Sequence, residues 1–115
     1  MASVVCIFCA IVAGDIPADV VQATDRAVAF RDLDPQAPTH VLVVPRAHHE
    51  NAAALAAADP EVLAELLEVA AAVAEKDGLD GAYRLVFNTG AEAGQSVFHT
   101  HLHLLGGRPL RWPPG

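Results

Sequence analysis

The clearest periodicity in the chain lies between residues 60 and 77, where Leu63, Leu66, Leu67, Ala70, Val73 and Ala74 recur at three- and four-residue steps. That spacing predicts a helix with one buried stripe. Asp59 suits the N-cap, Pro60 the first helical position and Glu61 the positive end of the dipole, while Gly78 suits the left-handed residue after the last turn. Elsewhere the pattern is that of strands. Val20 to Ala23 and Ala27 to Arg31 read as a pair joined by a tight turn at Thr24-Asp25-Arg26. Val41 to Val44 is continuously apolar, as a strand buried on both faces is, with His40 ahead of it and Pro45 after it. Tyr83 to Asn88 alternates. A short helix is expected over Ile7 to Ala13, closed by Gly14, and a helical turn in the Ala-rich stretch after Asn51.

The last alternating run is the unusual one. From Val97 to Leu105, His99, His101 and His103 fall at every second position, with Phe98, Leu102 and Leu104 at the alternate ones. On a strand this places the three imidazoles on one face at intervals of about 7 Å, and the apolar residues on the other. The loop before it, Gly90 to Ser96, is long enough only for a hairpin-like return. Five strands with one long helix, one or two short ones and no βαβ alternation predict an α+β fold with an antiparallel sheet.

Composition narrows the function. A chain of 115 residues is one domain with a single core. Its net charge of −7 argues against polymeric nucleic acid, which demands a basic face, but leaves room for a mononucleotide. No apolar run approaches the roughly 18 residues of a membrane span. The N-terminus lacks the basic start and apolar core of a signal peptide, so a cytoplasmic protein is expected.

Three imidazoles in alternation suit a metal site or a nucleophile with its helpers. Gly90, Gly94, Gln95 and Ser96 form a glycine-bearing loop whose backbone N–H groups can face an anion, and Asn88 adds an amide. Together they suggest a site for an anionic substrate. Cys6 and Cys9, the only cysteines, stand in C-I-F-C without the βαβ pattern of a redox motif. They are either inert thiols or half of a structural zinc site that needs two more ligands.

The string G-Q-S-V-F-H-T-H-L-H-L-L resembles the signature of the histidine triad (HIT) superfamily, H-φ-H-φ-H-φ-φ with φ apolar, apart from Thr100 at the first φ. The segments R-D-L-D-P-Q-A-P-T-H-V-L-V-V-P-R-A-H and L-G-G-R-P-L-R-W-P-P-G resemble its Hint branch, and the likeness runs from about Cys6 to Gly115. The resemblance implies a five-stranded sheet per subunit and a homodimer whose sheets join, with the segment around Trp112 reaching the partner's site. It implies that His101 is a nucleophile toward phosphorus, its far nitrogen held by a backbone carbonyl near His99. His103 and Ser96 would contact the α-phosphate or leaving group, with Asn88 and the Gly94-Gln95 amides as further phosphate contacts. Asp32 would hold the ribose hydroxyls, and Ile7, Phe8, Ile11, Phe30 and Leu33 would line the base. By spacing alone Asp32 is a turn residue and the apolar set is ordinary core. His40 is expected to support the site or to cap a strand, and His49 to be a solvated surface residue. Many bacterial-type members carry the same C-x-x-C, which implies zinc held by Cys6, Cys9, His48 and His99.

The function so implied is hydrolysis of purine nucleoside phosphoramidates, releasing AMP or GMP through a nucleotidyl-histidine. A dinucleoside polyphosphate hydrolase of the same superfamily, a metal hydrolase using the three histidines as ligands, and a non-catalytic nucleotide-binding module are the alternatives. An open edge as apolar as Val41 to Val44 or Tyr83 to Phe87 also favours a homodimer, because pairing would cover it.

Overall fold

The computed structural model describes residues 6–115. Helix α1 (Ile7–Ala13) precedes strands β1 (Val20–Ala23), β2 (Ala27–Arg31) and β3 (Thr39–Pro45). Helices α2 (Ala52–Ala58) and α3 (Pro60–Lys76), then strands β4 (Tyr83–Val86) and β5 (Leu102–Gly106), complete the order. The strands form one antiparallel five-stranded sheet in the order β1-β2-β3-β5-β4. β3 is therefore central, not an edge. Its apolar run is covered by neighbours on both sides, and the edges are β1 and β4.

Strand alternation divides the core. Ala27, Ala29, Val41, Val43, Leu102 and Leu104 point to one face, where they pack on α3 through Val62, Leu66, Val69, Ala70 and Val73. Val28, Phe30, Leu42 and Val44 point to the other, where Phe8 of α1 joins them. The buried stripe of α3 is rotated from the sequence expectation: Val69 is buried, whereas Leu67 is exposed. The two stripes share Leu66, Ala70, Val73 and Ala74, so periodicity alone sets their common axis but not their exact width.

Asp59, Gly78 and Gly14 end their helices as expected, and Cys6 adds a cap that the sequence did not suggest. Asp59 accepts from the Val62 amide at the start of α3, and Cys6 does the same for α1, its sulfur accepting from the Cys9 amide. At their C-termini the Leu79 N–H reaches the Ala74 carbonyl and the Gly78 N–H that of Glu75, and Asp15 and Gly14 repeat this on Ala10 and Ile11. These double bonds satisfy carbonyls that a helix end leaves bare.

The sheet and α3 are also tied by charge. Arg31, at the end of β2, makes a forked pair with Asp77 at the end of α3, at 2.8 and 3.1 Å, and Thr39 of β3 donates to the same carboxylate. Gly106 and Gly107 close β5 for different reasons. A Cβ on Gly106 would meet Leu79, while Gly107 takes φ +92° and its Cβ would lie 2.8 Å from Pro38.

Candidate active site

β5 begins at Leu102, so His99 and His101 precede the ladder rather than sharing it with His103. The expected three-histidine strand is thus a strand only at its last member. Phe98, expected in the core, is exposed, because the alternation that would turn it inward does not extend that far. Residues 97–101 are held by individual hydrogen bonds instead. The Thr100 N–H and Oγ1 both donate to the His49 carbonyl, at 2.7 and 3.0 Å. The buried Gln95 side chain donates to the carbonyls of Glu50 and Val97 and accepts from the Gly90 N–H.

Each buried imidazole has a partner that decides its tautomer. A carbonyl oxygen only accepts, so the ring nitrogen facing one carries the hydrogen. His101 Nδ1 lies 2.8 Å from the His99 carbonyl, which leaves the lone pair on Nε2. His99 Nε2 lies 2.8 Å from the Pro45 carbonyl, which leaves its lone pair on Nδ1. For His40 the logic reverses: the Gln36 N–H donates to its Nδ1 at 3.0 Å, so the hydrogen sits on Nε2. That nitrogen is 2.9 Å from His103 Nδ1 and donates to it, so His103 keeps its own hydrogen on Nε2. The outcome is a lone pair at His101 beside a donor at His103, with ring centroids 5.0 Å apart.

Burial disfavours charge on His103 and His40. His103 is pushed down to about 4, chiefly by desolvation and further by the neighbouring His101 and His40. His40 is lowered too, again by burial, against the opposing pull of Asp32, whose carboxylate lies 3.5 Å away. Phe8 presses edge-on to His101 at 5.0 Å and completes the dry side of the site.

Behind His99 lies a second constellation. Its Nδ1 is 3.4 Å from Cys6 Sγ, 3.5 Å from Cys9 Sγ and 3.1 Å from His48 Nδ1, and Cys9 Sγ is 3.4 Å from the same His48 nitrogen. A tetrahedral zinc with ordinary bond lengths sets sulfur–nitrogen edges of about 3.5 Å and nitrogen–nitrogen edges of about 3.3 Å. The four ligand atoms fit such an ion without rearrangement. A structural site of this kind is closed by protein ligands, and the Pro45 carbonyl supplies the outer partner that orients His99. The three triad imidazoles, by contrast, are not a group that could hold one ion among the described residues. His99 turns its lone pair to the cysteines, and His101 is tied to a carbonyl.

The remaining sequence-derived residues divide. Asp32 accepts from the Asp34 N–H as a turn former, while its other oxygen faces His40. Phe8 and Phe30 are buried in the core, Ile11 is half-buried, Ile7 is exposed, and Leu33 is 98% exposed. Ser96 lies at the surface, lining a cavity of about 800 Å³ with Ile7, Glu50, Phe98 and three members of the cysteine–histidine cluster. The Gly94 and Gln95 amides do not face outward as expected. They donate within the loop, to Ala91 and Gly90, because a tight 3-10 turn at Ala91–Ala93 uses them. Asn88 sits beneath Gly94, its amide nitrogen 3.5 Å from where a Cβ would be. His49 is half-buried rather than solvated, and its carbonyl anchors Thr100. Sequence reasoning missed the Gln95 brace and the roles of the Pro45 and His49 carbonyls. A glutamine among small loop residues was the one available signal, since backbone groups leave none.

The chain is similar to known proteins over nearly its full length. A protein of Synechococcus elongatus described as HIT-like and uncharacterized is 48% identical over 109 residues, spanning 95% of this chain and 96% of its own. A 14 kDa zinc-binding protein of Zea mays is 46% identical over 112 residues, 95% of this chain and 87% of that protein. Among solved structures, a HIT family hydrolase from Legionella pneumophila superposes with a TM-score of 0.91 at 49% identity, covering 96% of this chain and 99% of that one. The HIT domain itself matches residues 13–110. With the fold and nearly the full length in agreement, this chain belongs to the HIT domain family, and its fold is that of the family's hydrolases.

Proposed function

We propose that the protein hydrolyses purine nucleoside phosphoramidates, releasing AMP or GMP through a covalent nucleotidyl-histidine. The observation that carries this reading is His101, whose Nδ1–H is committed to the His99 carbonyl and whose Nε2 keeps the lone pair, with no hydrogen-bond partner among the described residues. A neutral imidazole held this way is a nucleophile at neutral pH. Nε2 attacks the α-phosphorus and the phosphorus–nitrogen bond breaks. The departing amine takes its proton from water, leaving the hydroxide that completes hydrolysis, while the neutral His103 would donate its Nε2–H only as a hydrogen bond to the α-phosphate or leaving group. That hydroxide then cleaves the phosphorus–imidazole bond and frees the nucleotide. Ser96 and Asn88 would contact the phosphate and its leaving group, Asp32 the ribose, and Ile7, Phe8, Ile11, Phe30 and Leu33 the base.

Cys6, Cys9, His48 and His99 would hold a structural zinc, whose chemistry is to bind and order these four side chains. The likeness to the 14 kDa zinc-binding protein of maize supports this. A reducing compartment, the cytoplasm, would keep both cysteines available as ligands. β4 is an edge strand with Leu85 exposed, and Trp112 stands 82% exposed beyond β5. Both suit a homodimer joined through β4, with Trp112 reaching the partner's site.

The test is a panel of AMP and GMP phosphoramidates assayed beside a dinucleoside polyphosphate. Phosphoramidates should be the better substrates, and protein quenched in mid-reaction should carry a nucleotide on histidine, stable to base and labile to acid. His101→Ala should lose turnover by a factor of about 10³ or more and still bind AMP. Faster cleavage of the polyphosphate would assign the related activity, and nucleotide binding with no turnover on the whole panel would leave a binding module. Undiminished turnover in His101→Ala would end the proposal.

A further inference from the structure

The backbone that carries His101 has no ladder of its own. β5 starts one residue later, and what precedes it is fixed mainly by contacts to the segment from Pro45 to Glu50 and to the two cysteines. His99, fully buried, is the common member. Its Nε2–H is on the Pro45 carbonyl, its Nδ1 is within 3.5 Å of Cys6, Cys9 and His48, and its carbonyl receives the Nδ1–H of His101. The next residue, Thr100, is bound twice to the carbonyl of His49, the neighbour of His48. Two of the four cluster residues therefore flank the contacts that aim the nucleophile.

Those four side chains hold one another weakly by themselves. A thiol is a poor donor, and the His48 and His99 Nδ1 atoms, 3.1 Å apart, can share at most one hydrogen. A shared cation turns the same convergence into four strong bonds. We infer that His99 is a positioning residue, through which occupancy of the Cys6–Cys9–His48–His99 cluster sets the tautomer and aim of His101. The cluster thus does for residues 97–101 what hydrogen-bonded neighbours do for a strand. The kinetic part of this inference rests on the proposed hydrolase reading; the part concerning the ring and backbone does not.

The experiment compares the full-length protein in zinc-loaded, cadmium-exchanged and chelator-stripped forms. Nitrogen-resolved NMR of the imidazoles reads the His101 tautomer. Amide exchange is followed at Thr100, with Leu66 and Val73 of α3 as internal references, and kcat and KM are taken on an AMP phosphoramidate. Stripping should mix the His101 tautomers and speed exchange at Thr100 by roughly tenfold or more, with the α3 amides nearly unchanged. Turnover should fall through kcat, with KM within roughly a factor of two. A stripped protein that melts earlier but keeps a single His101 tautomer and a protected Thr100 would overturn the inference, since the cluster would then be a staple only.

If stripping unfolds the chain, α3 exchanges together with Thr100, and the cadmium form decides. Its larger ion should displace the His101 ring resonances and change kcat severalfold while α3 stays protected. Superimposable His101 resonances in the zinc and cadmium forms would refute the coupling. Should no nucleotide be turned over, the imidazole and exchange measurements still decide, and that failure falls on the hydrolase reading alone.

Discussion

His103 is half-buried beside two other imidazoles, and this shapes how the protein responds to acid. Its folded value of about 4 lies below the ordinary 6.5, so the folded state binds fewer protons than the unfolded chain in this window. The stabilisation is fully present above pH 6.5 and is lost as pH falls through 4, a change on the order of 2–3 kcal/mol. Asp77 acts lower on the scale. Hydrogen bonding to Arg31 holds it below its ordinary 3.8, so its contribution persists above that value and disappears as pH falls through its depressed value. Urea unfolding followed against pH should show wild-type stability dropping in two stages. His103→Gln should flatten the first stage and Asp77→Asn the second. An unaltered first stage in His103→Gln would mean that His103 is not neutral by burial.

Among the elements, the end of β5 is the least tolerant of change. Gly107→Ala would have to keep φ +92° and place a methyl 2.8 Å from the rigid Pro38 ring. Destabilisation of more than about 1 kcal/mol is expected, measurable as a lowered urea midpoint with unchanged slope. Gly106→Ala meets the two Leu79 methyls at 2.7 and 3.1 Å and the Ala82 carbonyl at 3.4 Å, but it needs no positive φ and the Leu79 side chain can turn away, so it should cost less. Equal stability of both variants and wild type would show that this turn relaxes freely. The same elements show what the chain discloses. α3 was legible to within a residue because Asp59-Pro60 and Gly78 mark both ends with backbone chemistry. The strands were legible because alternation and turn residues bound them. The chemistry of His101 was legible only through the motif, and its supporting contacts were not. The carbonyls of Pro45, His49 and His99 do the holding, and every residue type has one. The start of β5 was misjudged for a related reason: alternation continues through Phe98 and Thr100, but the ladder that would use it does not. Gln95 likewise looked like a phosphate loop residue and is a buried brace.

The whole molecule is a sheet with α3 and α2 on one face and α1 on the other, with a net charge of −7 and an open edge at β4. Sedimentation at micromolar concentration should give twice the chain mass. Leu85→Lys, a charge on that edge, should shift the equilibrium to monomer, since edge charges block strand pairing. A monomeric wild type would remove the dimer from the proposal. Added salt should tighten the assembly by screening the repulsion between two acidic chains.

The strand order carries a consequence for the timing of synthesis. β4 has β5 as its one neighbour, and β5, later in the chain, enters between β3 and β4. A nascent chain can pair β1, β2 and β3 through short connections and lay α3 across them, contacts that form quickly. β4 then waits beside a gap. The brace at Gln95, the cluster ligand His99, the nucleophile and its donor all arrive with the strand that fills it. A partly made chain can therefore be largely folded and wholly inert, and any catalytic activity begins only when the last strand is inserted.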